Sequence, residues 1–336
     1  MSVYLQRSTN IYISKAANAS ANATNTVLLN VKDFSFNKSA SVVNVGRSTI
    51  SPTQQRTVKP YVNTVAPVNF SFTTYVLPVV DTVVTSPEEY LWVSLLGVDS
   101  ISSSATTSTI NFANGNVAQL QELTLWFDDP NKSEGNYRID NAIVDEATIS
   151  FDINGIAEIR WSGRGLALVE DNTPPAATDR TGQTNYLKNK LSTMTLQANA
   201  VSYTLALTGG QIRIDNKVIF YGRVQLGKTT VPTGHFTGNR EITGNLNFYL
   251  KSGTNASVDL FNTLNTNVST DTYESTYLAN ITINVGGATA PFLQINVPQA
   301  LLNIPTLGFN ELITMNVPFI AQEEAGNYST VIYNMP

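Results

Sequence analysis

One histidine, the carboxylate pairs Asp128-Asp129, Asp145-Glu146 and Glu323-Glu324, two glycine doublets and three tryptophans are the residues from which chemistry could be built. His235 lies in VPTGHFTGNRE between turn-forming residues, with no serine, cysteine or metal-ligating partner at a telling spacing. Zinc sites draw on several His, Cys or carboxylate groups, so the pattern predicts a loop histidine without a special role. Asp128-Asp129, Asp145-Glu146 and Glu323-Glu324 are direct neighbours, and in an extended chain such side chains diverge. Solvated turns are the expectation, while a glycosidase pair assembled across a cleft stays open to sequence. Gly209-Gly210 and Gly286-Gly287 lack the lysine and helix of a phosphate loop and read as turns. Trp92 and Trp161 fall on apolar faces and read as core. Trp126, in LTLWFDDP, is the one tryptophan expected at the surface and the one candidate for stacking on a sugar. With no cysteine, neither a thiolate nor a disulfide framework is possible. No catalytic, cofactor-binding or metal-ligating residue is predicted, and no cofactor; the chain does not read as an enzyme.

The elements carrying these residues are short and alternating. Apolar and polar residues alternate with period two between Gly, Pro, Asn and Asp, which signals antiparallel β structure. At 336 residues the chain can form one large β domain or two of ordinary size. Charged residues are 13%, and the formal net charge is -5, the opposite of the clustered Lys and Arg that grip phosphates. A hydrophobic share of 42% is too high for a disordered chain. The opening MSVYLQRSTNIYIS lacks a basic and then long apolar stretch, so no secretory signal or membrane span is expected. Sequons such as Asn18-Ala-Ser are read as chance.

Two helices are expected. In SPEEYLWVSLLG, Ser86 is placed to cap, Pro87 suits the first turn, Glu88 and Glu89 complement the helix dipole, and Gly97 closes. A weaker candidate is NASVDLFNTLN, with Asn255 as cap and Leu260 and Leu264 one turn apart. ATISFDINGIAEIRWSG reads as a hairpin. A three-residue loop ending at a left-handed Gly155 pairs Phe151 with Ala157, Ile149 with Ile159 and Ala147 with Trp161, keeping apolar groups on one face.

The chain also carries one pattern twice. A shift of 176 positions brings Gly46-Arg47 onto Gly222-Arg223, Phe36 onto Ile212, Asn69 onto Asn245, Phe70 onto Leu246 and Phe72 onto Phe248. A helix candidate follows each copy, then a late strand: Ala157, Ile159 and Trp161 in one, Ile313, Met315 and Val317 in the other. The openings rhyme as well, Tyr4-Leu5-Gln6-Arg7 against Tyr186-Leu187-Lys188-Asn189. The expected organisation is all-β with minor helix, a tandem duplicated β-sandwich with one flanking helix per unit. The units are 1–165 and 186–336, joined by a Pro-, Asp- and Thr-rich linker at 166–185.

VNFSFTTYVLP followed by EYLW, then IAEIRWSGRG, TNYLKNKLS, GHFTGNREITGNLNFYL and LLNIPTL, together resemble the tail tube proteins of long-tailed siphophages of the T-five type. With YLQRSTNIYIS the resemblance spans nearly the whole chain; its specificity lies in the order and number of motifs. It implies two tail-tube domains per chain, three chains closing a ring of imitated six-fold symmetry, and rings stacking into a hollow conduit in the virion tail. It also implies other copies, tape-measure, tail-tip and terminator proteins as partners, and DNA that passes without sequence-specific binding. Some relatives carry a decoration after the second tube domain; a chain stopping soon after VPFIAQEEAG is expected to add none.

On that resemblance, Asn69, Ser71 and Thr73, Glu158 and Arg160, Asn245 and Asn247, and Thr314 and Asn316 are the expected lumen-facing residues. A wall of amides and hydroxyls is wet yet gives phosphates few cations. The long connection from Arg47 to Pro67 is expected to reach an adjacent ring, with Arg47, Gln54, Gln55, Arg56 and Lys59 as stacking candidates. A carbohydrate-binding or adhesin-type β-sandwich is the alternative, and a glycan-cleaving enzyme a third reading.

Overall fold

Alternation of buried and open residues turns most of the chain into strands, and the length of a few of them ties the strands into one body. The computed structural model describes residues 9–16, 20–48, 56–80, 83–97, 100–113, 120–179, 186–198, 200–221, 234–268, 278–309, 311–323 and 328–336. It is mostly β, with two α-helices.

One layer is a continuous antiparallel sheet. Its strands run side by side as β3 (Val31–Asn37), β6 (Val68–Tyr75), β13 (Glu158–Gly165) and β12 (Tyr137–Asp152), then β18 (Leu207–Asp215), β21 (Glu241–Tyr249), β25 (Ile313–Ala321) and β24 (Thr306–Phe309). The join between the two groups of four is β12 on β18, seven register pairs from Glu146↔Asp215 to Asp152↔Gly209. The hairpin register is the expected one, with Ile149 opposite Ile159 and Ala147 opposite Trp161. Gly155 does not adopt a left-handed φ, however; the turn is longer, and Ile156 forms an antiparallel bridge with Lys188.

Two outer layers cover this sheet. The first runs β2 (Thr26–Leu29), β1 (Asn10–Ser14), β11 (Leu123–Asp128), the start of β12, and β14 (Ala167–Glu170), with β15 (Thr178–Asp179) parallel to β2. The second runs β17 (Val201–Tyr203), β16 (Thr193–Ala198), β22 (Leu278–Val285), β23 (Phe292–Leu302) and β26 (Thr330–Asn334). It is completed by β10 (Thr107–Asn111) and β9 (Ile101–Ser103), which come from the N-terminal half. Ile11, Ile13 and Leu125 of one layer, Ile281, Ile283 and Leu293 of the other, and Phe72, Trp161, Ile149, Leu246 and Met315 of the continuous sheet belong to one buried cluster. Each such side chain contributes on the order of 2 kcal/mol by leaving water.

Three pairs of strands stand apart: β4 (Ala40–Ser48) with β5 (Arg56–Val65), β7 (Val79–Val80) with β8 (Val84–Thr85), and β19 (Ile219–Tyr221) with β20 (Gly234–Phe236). The stretch expected as a long connection before β6 is thus a nine- and a ten-residue strand folded back on each other. The even spacing of Val43 and Val45 in one segment and of Val58 and Val62 in the other was the signal for it. His235 lies in β20, not in a loop. Gly209-Gly210, expected as a turn, is part of β18, and the expected linker holds β14 and β15.

Helix α1 (Glu89–Leu96) starts after Glu88, and no side chain caps it. Ser86 lies two residues ahead of the N-cap position, Glu88, and instead accepts, through its backbone carbonyl, the amide of Glu89. Gly97 closes the helix at φ 97°, a conformation glycine reaches freely. Its C-terminal carbonyls are held from the C-terminal half: Asn216 Nδ2 donates to Leu95 O, and Arg240 Nη2 to Leu96 O at 3.3 Å. Helix α2 (Ser257–Val268) buries Leu260 and Leu264 as the spacing predicted. Asn255 is not its cap but a left-handed residue at φ 55°, whose amide donates to the Asp259 carboxylate.

Candidate functional site

The candidate surface is the open face of the continuous sheet. In antiparallel pairs, residues directly opposite share a face. Following the registers, Asn69 lies opposite Asn37 and Arg164, Ser71 opposite Ser35 and Ser162, and Thr73 opposite Lys32 and Arg160. Glu158 pairs with Tyr75 and Ser150, Ser150 with Gln211, and Gln211 with Asn245. Asn247 pairs with Asn316, and Tyr249 with Thr314. All nine residues singled out on β6, β13, β21 and β25 therefore share one face, none of them buried. The opposite face of β6 carries Val68, Phe70, Phe72 and Thr74, all buried.

This face is not the uncharged surface that β6 alone suggested. Lys32 Nζ lies 2.5 Å from Glu158 and 5.5 Å from the centre of the Tyr75 ring. Arg213, beside the β12–β18 join, lies 2.7 Å from Glu146 and 3.0 Å from Asp215. Lys217 reaches Asp215 at 3.1 Å and Glu241 at 2.9 Å. These carboxylates raise the pKa of Lys32, Arg213 and Lys217. Arg160 makes no ion pair with any described residue. Beyond Glu241, the face of β21 and β25 is neutral: Thr243, Asn245, Asn247, Thr314 and Asn316, with Asn316 Nδ2 donating to Asn247 Oδ1 at 2.6 Å. Sequence reasoning missed Lys32, Glu146 and Arg213, because only the pairing of distant strands places them on this face.

A groove of about 600 Å³ opens at one end of the β12–β18 join. It is lined by Asn69, Ser71, Asp145, Glu146, Arg213 and Lys217 among others. Asp145 accepts from the Val218 amide at 2.7 Å and lies 3.4 Å from Arg164. Burial nevertheless holds its pKa above the usual carboxylate range. Among the described residues no group of three or more His, Cys, Asp or Glu could hold a metal ion.

The other chemical candidates disperse. Trp126 is fully buried, not exposed, and its Nε1 donates to Asp171 at 3.2 Å. Asp128 and Asp129 are buried too, where a solvated turn was expected; Asp129 accepts from the Asn131 amide, and burial raises the pKa of Asp128. Asp145 and Glu146 belong to β12, and Glu323 is held by the Ser329 amide and hydroxyl. His235 is half-buried beside Phe220, 3.9 Å from Glu122, and burial lowers its pKa. Glu88 departs furthest from expectation. It is buried rather than exposed at the helix start, its Oε2 meets no partner among the described residues, and desolvation pushes its pKa up to about 8. Around it stand Ser86, Thr74 and Tyr333, and Trp92 Nε1 donates to Tyr333 Oη at 3.0 Å.

Of the stacking candidates, Gln54 and Gln55 fall outside the described residues. Arg47 pairs in register with Thr57, Arg56 with Ser48 and Lys59 with Val45, on the arm made by β4 and β5. That arm leaves Val42, Val58, Tyr61 and Val62 exposed, and the β19–β20 arm leaves Ile219, Tyr221 and Phe236 exposed. No helix among the described residues is long and apolar enough to cross a membrane.

No protein-family model matches the chain. Among curated proteins, the tail tube protein pb6 of Escherichia phage T5 is 26% identical over 347 aligned positions, which cover 96% of this chain and 73% of that protein. The resemblance carried by the motifs thus extends to a T5-type tail tube protein over almost the full sequence.

Proposed function

We propose that this chain, similar along almost its entire length to a T5-type tail tube protein, is the structural subunit of a phage tail tube, with an architectural rather than a catalytic role. The observation that carries the reading is the continuous sheet with two open ends. Among the described residues, nothing pairs with the outer edge of β3 or of β24. Soluble proteins blunt such edges; here both are left ready for a further strand. Repeated head-to-tail contacts of this kind close rings.

The finer reading follows from the strand order. In the N-terminal half the order is β3, β6, β13, β12; in the C-terminal half it is β18, β21, β25, β24. This supports a duplication with units 1–165 and 186–336, and makes the β12–β18 join a template for a joint between chains. Three chains joined β24 to β3 would give a ring of six similar sectors, with the open face toward a lumen. The β4–β5 arm, apolar and uncovered, would reach the next ring. DNA would leave the virion through the stack, and tape-measure, tail-tip and terminator proteins would be the other partners. The lumen would repel DNA weakly, since each paired cation is matched by a carboxylate. A sugar-binding role loses its one candidate platform with Trp126 buried.

Negative-stain electron microscopy of the purified protein over a range of concentrations, beside light scattering, tests the reading. Hollow tubes or stacked three-lobed rings are expected. A small stable oligomer that binds glycans would overturn it in favour of an adhesin.

A further inference from the structure

The two halves end their long hairpins differently. In the N-terminal half, the β12–β13 tip is covered. Leu187 O accepts from the Ala157 amide at 3.0 Å, the Asn189 amide donates to Gly155 O at 3.1 Å, and Ile156 bridges Lys188. The β18 strand closes the side, with Gly210 opposite Phe151. Phe151 is 3% exposed and Ala157 0%. In the C-terminal half, Phe309 and Ile313 stand opposite each other at the matching tip, between β24 and β25. They are 74% and 38% exposed, and Leu312 between them is exposed as well.

The covering segment leads directly into β16, the strand that occupies in its outer layer the place β1 holds in the other: β16 pairs with β17 and β22, β1 with β2 and β11. Before β1, Tyr4-Leu5 match Tyr186-Leu187 of the covering segment, and Gln6-Arg7 follow where Lys188-Asn189 do. In sequence, Gln6 then falls on Lys188 and Arg7 on Asn189, while Leu312 falls on Ile156 and Glu311 on Gly155. A bridge like that of Ile156 with Lys188 would set Gln6 beside Leu312 and Arg7 beside Glu311. The opposite charges fit.

We infer that the exposed tip Phe309, Leu312 and Ile313 is the seat of the N-terminal segment Tyr4–Arg7 of a neighbouring copy, which adds a short antiparallel bridge beside the β24–β3 joint. The inference rests on the tube reading. It gives that joint a second contact, with an apolar core and an Arg7–Glu311 pair that fixes the register.

The chain has no cysteine, so a disulfide test is clean. Antiparallel bridge partners sit within disulfide reach. Under mild oxidation, tubes of Gln6→Cys/Leu312→Cys protein should show covalent dimers and trimers on a non-reducing gel, and either single variant should show only a trace. Tubes that assemble normally and yield no covalent dimer overturn this inference and leave the tube reading standing. Wild-type protein that forms no ring or tube removes both. Should the cysteine pair itself block assembly, charge reversal decides. Arg7→Glu and Glu311→Arg should each lower tube yield about tenfold, and the two together should restore most of it, as expected for complementary charges at an interface. A double variant as impaired as the singles overturns the pairing.

Discussion

Two regions of one sheet face carry different chemistry, and the boundary between them falls inside the C-terminal half, beyond Glu241. On β3, β13, β12 and β18 the open face carries Lys32, Glu158, Glu146 and Arg213 in pairs; on β21 and β25 it carries amides and hydroxyls. The core beneath differs in a compensating way. Phe70 of β6 lies over Gly163 of β13, whereas the matching strands carry Gly244 on β21 beneath Phe319 of β25. Ring and glycine have exchanged strands, and each half keeps one ring lying over a glycine of the neighbouring strand. Core positions can trade residues only in matched pairs, while open-face positions answer to solvent alone.

The largest way to break this symmetry is at the glycines. A methyl at Gly163 would strike the Ile143 carbonyl as well as the Phe70 ring, and one at Gly244 would strike the Phe319 ring and the Gln211 carbonyl. Gly163→Ala should cost about 3 kcal/mol or prevent folding, and Gly244→Ala somewhat less. Only Gly244→Ala should be partly rescued by Phe319→Leu, as read from chemical denaturation. Equal costs with no rescue would contradict the exchange.

Glu88 comes next, at the contact between α1 of one half and β26 of the other. Its folded-state pKa, about 8, lies above the ordinary 4.5, so the folded chain keeps a proton that the unfolded chain releases. Stability from this group is therefore full below about pH 4.5, falls as pH rises, and levels off above about 8. Glu88→Gln should gain roughly 3 kcal/mol over wild type at pH 9 and little at pH 4. Thermal melts across that range check it; parallel profiles would mean that Glu88 is not the titrating group.

Cations added to the open face sharpen the contrast in function. Asn247→Lys enters a neutral stretch, while Ser71→Lys lies in the register row that runs through Ser162 to Glu146. In the proposed tube, both should leave rings intact. Asn247→Lys should slow DNA ejection more, and the difference should shrink in added salt. Equal, unchanged ejection would count against this face being luminal. The smallest effect is expected from Glu158→Gln, which removes the half-exposed partner of Lys32 at a cost below ~1 kcal/mol.

Local pattern revealed the faces of β6, the hairpin register, both helices and the buried Trp92 and Trp161. It failed where distant chain decides. Trp126 looked exposed because Asp128-Asp129-Pro130 follow it, yet β1 and β12 flank β11 on both sides. Glu88 looked like a first-turn carboxylate, but the helix begins one residue later and Glu88 turns toward Tyr333. The charges of the open face stayed hidden because Lys32, Glu146 and Arg213 lie in three segments far apart in sequence. Nothing local indicates that β10 completes the sheet of the other half.

Strand β12, sixteen residues long, belongs to two layers at once: its first part pairs with β11 and β14, its last with β13 and β18. It acts as a crossbeam. A force applied to the lining of a wall built from this chain would pass along it into the outer layer without any loop to absorb it. A tube of such subunits would behave as stiff segments, and its curvature would come from tilting one ring against the next.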